Sequence, residues 1–129
     1  MDKDDKKDSL SQEQLIQTKV LYAYGVLMER GDRLIDEKYE EGLLYYEKAN
    51  NLFLEAKESL ITILIDQYPD FLKWMKNDLN INLNKKDIPH LYWLAASMAG
   101  SIQSSRGSNP HELVNIPVIG TLLETSIYL

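Results

Sequence analysis

From Ile16 onward the apolar positions fall at steps of three and four, as Ile16, Val20, Ala23, Leu27 and Leu34, with polar residues between them. That period belongs to a helix that lays one face on a core. Ser11 followed by Gln14 matches a capping box, so the sequence predicts a first helix over about residues 11–30, interrupted near its end by Gly31 and Asp32. A second stripe, Leu43, Tyr46, Ala49, Phe53, Ala56, Leu60 and Leu64, keeps the same spacing while Glu40, Glu41, Glu47, Lys48, Glu55 and Lys57 take other faces. It predicts a long helix over about residues 36–67. Tyr68-Pro69-Asp70 ends it, because a residue before proline is pushed out of the helical region.

Phe71, Leu72, Trp74 and Met75 then suit a short helix. Residues 77–86 alternate as a strand would, but four Asn and no partner strand favour an ordered loop. Asp87 as a cap and Pro89 at the first turn open a further helix with the stripe Leu91, Leu94, Ala95, Met98 and Ile102, closed by Arg106-Gly107-Ser108. Asn109-Pro110-His111-Glu112 starts the next in the same way. Pro117 must break or kink it before the amphipathic run Val118, Leu122, Leu123, Ile127 that reaches Leu129.

Composition strengthens the helical reading: twenty Leu stand against four Val and four Thr in 129 residues, about one domain's worth of chain. The expectation is an all-α domain over 11–129, about five helices stacked as antiparallel hairpins, preceded by a polar tail over 1–10 too rich in Asp and Lys to bury. Fourteen basic against twenty acidic residues leave a net charge of −6, which repels phosphate backbones and argues against a nucleic-acid partner. The chain has no cysteine, hence no disulfide, thiolate metal site or thiol nucleophile. No run of apolar residues is long enough to span a membrane, and the N-terminal residues have no apolar stretch like that of a signal peptide; the expectation is a soluble chain.

Candidate chemistry is sparse. His90 and His111 are the only histidines and form no His-Glu-x-x-His pattern, so no metal is expected. Ser97, Ser101, Ser104 and Ser105 lack a nucleophile elbow and read as small residues at a helix interface. Glu40, Glu41, Glu55 and Glu58 lie among lysines and read as a solvated face. The reading is therefore a non-catalytic protein without a cofactor. Eight tyrosines are the more telling feature, since a ring with a polar tip suits wet interfaces. Tyr45 and Tyr46 project about a hundred degrees apart on one helix, so if one packs inward the other faces a groove or solvent. Tyr92, beside a core Trp93, is the other candidate for a partner contact.

Two stretches carry resemblances. Tyr39-Glu-Glu-Gly-Leu-Leu-Tyr-Tyr-Glu-Lys-Ala49 resembles the second helix of a tetratricopeptide repeat, with Tyr39, Gly42, Tyr46 and Ala49 at the packing positions. No Trp, Leu and Gly set precedes it and no proline closes it near Leu54. In the helix from Asp87, Ala95 pairs with Ala99 and Ala96 with Gly100, four residues apart on neighbouring faces. This Pro-x-Leu-Tyr-Trp helix, the tyrosine-rich helix before it and the proline-interrupted segment ending in Leu122-Leu-Glu124 together resemble the T-component family of TRAP transporters.

That resemblance, over about residues 20–129, implies degenerate tetratricopeptide-like repeats stacked as a bundle, a periplasmic location and binding of the transporter's solute-binding protein, the P-component. It also implies a longer parent chain anchored as a lipoprotein, of which this is an N-terminal portion open to self-association into a homo-oligomer. The alternative on the residues alone is a carrier of small apolar ligands with an aromatic-lined cavity between its helices.

Overall fold

The computed structural model describes residues 2–129, with side chains from Gln12 onward, so the polar tail expected over 1–10 lies outside the residues whose side chains are described. The first helix does not stop where the sequence suggested. Helix α1 (Asp2–Tyr22) runs past Ser11 and continues through a π-helical turn, Ala23–Met28, into α2 (Glu29–Leu34). Gly31 sits inside α2 although glycine costs a helix interior about 1 kcal/mol relative to alanine. Packing explains its presence: a Cβ there would lie 2.6 Å from the Tyr46 ring.

After a turn at 35–38, α3 (Tyr39–Gln67) runs back along α1 and α2. Asp32 meets Tyr46, and further along Lys19 meets Glu55, which fixes the pair as antiparallel. The expected stripe on α3 is buried from Tyr46 through Leu64, whereas Leu43 is exposed and Gly42 takes the buried place beside it. Tyr68 leaves the helical region before Pro69, as anticipated. The short α4 (Phe71–Met75) buries Phe71 and Met75.

Residues 77–84 form a loop and contain no strand. A 3₁₀ turn, Lys85–Asp87, leads into α5 (Ile88–Ser105), with Pro89 in its first turn. Asp87 does not cap α5 through its side chain. Instead it closes a capping box with Asn84 one turn earlier. Arg106 and Gly107, with φ of 53° and 82°, turn the chain through the left-handed region and end α5. A second 3₁₀ stretch, Pro110–Asn115, precedes α6 (Ile116–Tyr128), which carries Pro117, where a kink was expected, in its first turn.

The architecture is all-α among the described residues, with α3 at the centre. The α1–π–α2 rod covers one side of α3, α5 covers another, and α6 lies on the far side of α5. Ile16, Val20, Ala23 and Leu27 from the rod meet Ala49, Phe53, Ala56 and Leu60 from α3 and Leu91, Leu94, Ala95 and Met98 from α5 in one core. At the crossing, Gly100 of α5 lies against the Phe53 ring. Tyr24, on the π-turn, packs edge-on to Phe53 with centroids 4.6 Å apart and donates its hydroxyl to the Ala96 carbonyl at 2.9 Å, locking rod, α3 and α5 together.

Candidate functional site

The four positions matched to a repeat helix divide. Gly42 faces Ile35, where a Cβ would come within 2.9 Å of backbone, and Ala49 is fully buried between helices. Tyr46 fills the space left by Gly31, donates its hydroxyl to Asp32 at 2.5 Å and carries the Arg106 guanidinium over its ring at 5.0 Å. Burial and the bond to Asp32 hold its phenol above the ordinary range. Tyr39 corrects the expectation: as the first residue of α3 it stands outside the crossing and is 60% exposed.

The two tyrosines expected at a partner surface sit on different helices with different neighbours. Tyr92, on α5, is 51% exposed and braced edge-on by Trp93 at 5.4 Å. It also lies close enough to Tyr24 to contribute, after burial, to the raised pKa of that phenol. Tyr45, half-buried on α3, has Arg30 and Lys48 near its ring at 5.8 and 5.5 Å.

Polar groups inside the structure were less visible in the sequence. Tyr68, at the end of α3, donates to Asp87 Oδ2 at 2.5 Å, and the Asn84 backbone N–H donates to the same oxygen at 3.0 Å. Asp87 is buried, and the bond it accepts pushes the Tyr68 phenol up to about 12, with burial and the Asp87 charge adding to the effect. Across the other end of α5, Asn50 donates to the Ser101 carbonyl and to Ser104 Oγ, both at 3.0 Å. Ser101 donates to Glu112 Oε1 at 2.7 Å. Asn50 and Glu112 were readable only as ordinary helix residues, because their partners come from another element.

Ser97 and Ser105 bond back within α5, to the Trp93 and Ile102 carbonyls, whereas Ser101 and Ser104 are the serines that meet Asn50 of α3. His90 pairs with Glu13 Oε1 at 2.8 Å and joins α5 to α1. Among the described residues no group of three or more His, Asp or Glu is placed to hold a metal ion, and no helix is long and apolar enough to cross a membrane. A groove of about 430 Å³ between α1 and α3 is lined by Leu15, Ile16, Lys19, Glu58, Thr62 and Ile63, among other residues, none of them aromatic. The gap against Trp93 holds about 10 Å³, room for a single water at most. Neither space is the aromatic-lined cavity that a carrier of apolar ligands needs.

The family model described as TRAP transporter T-component matches residues 4–129. No curated protein and no solved structure shows significant similarity to the chain.

Proposed function

The chain belongs to the T-component family of TRAP transporters, and from that premise we propose that it is a non-catalytic scaffold whose partner is the transporter's periplasmic solute-binding protein. The observation that carries this reading is Tyr92: a large, half-exposed ring on α5, fixed by Trp93 and backed by the Tyr24 anchor. Rigid aromatic anchors of this kind dominate binding energy at protein interfaces, whereas rim charges mainly set the association rate and its salt dependence. Tyr45, flanked by two cations, is assigned to the same partner surface.

A periplasmic location, with lipid anchoring in the parent chain, accompanies this role. Self-association through the apolar side of α6 is part of the same proposal, since Ile116, Leu123, Ile127 and Tyr128 are all exposed there.

Calorimetric titration against the solute-binding protein of the cognate TRAP transporter tests the assignment. Tyr92→Ala is expected to weaken association by more than about 1 kcal/mol with helicity intact. Replacing Glu55 and Glu58 together by Gln is expected to change affinity little, although Glu55 gives up its surface pair with Lys19. Unchanged affinity in Tyr92→Ala contradicts the site; saturable binding of a small apolar ligand instead supports the carrier.

A further inference from the structure

At the end of the bundle where α3, the C-terminus of α5 and the second 3₁₀ stretch meet, a cleft of about 240 Å³ is lined by Leu43, Glu47, Asn50, Ser104, Arg106 and Glu112, among others. It is several times roomier than one water requires. Glu112 is nine-tenths buried in its wall. One carboxylate oxygen, Oε1, accepts from Ser101, while Oε2 is buried with no donor among the described residues. A buried carboxylate oxygen left without a donor is costly, and the group that satisfies it best is a cation carrying several N–H bonds.

Arg106 lines the same cleft. Its guanidinium is held over the Tyr46 ring, and among the described residues it forms no ion pair with Glu47 or Glu112, although both line the same cleft. A planar guanidinium fixed in this way presents paired donors to a carboxylate. Two acidic groups and one arginine around a cleft with Leu43 at its side match a molecule with one ammonium, one carboxylate and a short apolar stem. Neither a simple amine nor a simple acid uses both ends.

We propose that this cleft is a binding site for a small zwitterion of the free amino-acid class, with its ammonium on Glu112 and its carboxylate on Arg106. The site is separate from the Tyr92 surface and does not depend on a protein partner.

The test titrates the purified chain with glycine, alanine and γ-aminobutyrate by nuclear magnetic resonance, with propylamine and propionate as the two separated halves. At least one amino acid is expected to saturate a set of amide shifts that includes Arg106 and Glu112, with each half binding at least about tenfold more weakly. Glu112→Gln, which keeps an acceptor for Ser101, and Arg106→Gln are each expected to weaken binding by a similar factor while the circular dichroism stays helical. Should Glu112→Gln fail to fold, the exposed Arg106→Gln decides alone. The proposal is overturned by the absence of saturation with all three amino acids, by propylamine or propionate binding as tightly as the zwitterion, or by undiminished binding in the folded variants.

Discussion

Gly100 of α5 and Phe53 of α3 occupy one another's space: a Cβ on the glycine would run into the phenyl ring, which is itself fully buried. At this crossing the ring of α3 lies directly against the backbone of α5. Gly100→Ala is therefore expected to destabilise the chain by about 1–3 kcal/mol, the range of overpacking, even though alanine is the better helix former. Chemical denaturation checks this, and an unchanged or raised midpoint contradicts the crossing.

The repeat-like segment gives a second test. Gly42→Ala drives a methyl into the Ile35 backbone and Ala49→Trp forces an indole into a fully buried position, so both are expected to lower the denaturation midpoint. Gly120→Ala on α6 is the control, since nothing lies within 4 Å of a Cβ there. It is expected to be neutral or to stabilise by up to about 1 kcal/mol. Equal midpoints in all three contradict the packing assigned to α3.

These positions also show what the sequence made legible. Apolar spacing marked α3 and α5 almost residue for residue, because a buried stripe repeats with the helical period whatever it packs against. The unbroken rod from α1 to α2 was hidden, since Gly31 signals a helix end locally, whereas its reason for being glycine is the Tyr46 ring, fifteen residues later, which fills the place of its missing Cβ. Tyr39 and Tyr46 looked equivalent by spacing, yet only Tyr46 lies under the neighbouring helix. The exposure of Tyr92 was legible, because it adjoins a Trp that packs against the core and the two neighbouring rings cannot both face inward on one helix. The Asn50, Ser101 and Glu112 network left no trace, for hydrogen bonds between elements have no sequence period.

The Tyr68 hydroxyl gives a pH dependence of definite sign. Its phenol is neutral in both states below the ordinary pKa of 10.0, and the bond to Asp87 lifts the folded value to about 12. Its contribution to stability is fully present below pH 10.0 and is lost as pH rises toward about 12, because the unfolded chain releases the proton first. Tyr68→Phe is expected to be less stable at neutral pH and to lose less stability over that alkaline interval. Parallel profiles of denaturation midpoint against pH for the two proteins contradict this.

The exposed apolar residues of α6 are expected to drive self-association that grows with concentration. Ile127→Lys, at a position 75% exposed, is expected to shift the distribution toward monomer without loss of helicity. Sedimentation velocity across a concentration series measures it, and a monomer at every concentration contradicts it.

The central claim, that the chain binds a solute-binding protein of a TRAP transporter and uses Tyr92 to do so, is tested most directly by titrating the unmodified chain with that protein in a calorimeter. Saturable binding at a defined stoichiometry is expected, with Tyr92→Ala weakening affinity and the Glu55 and Glu58 changes leaving it unaltered. No heat and no complex between the two folded proteins, across concentrations that saturate a micromolar interaction, would contradict it.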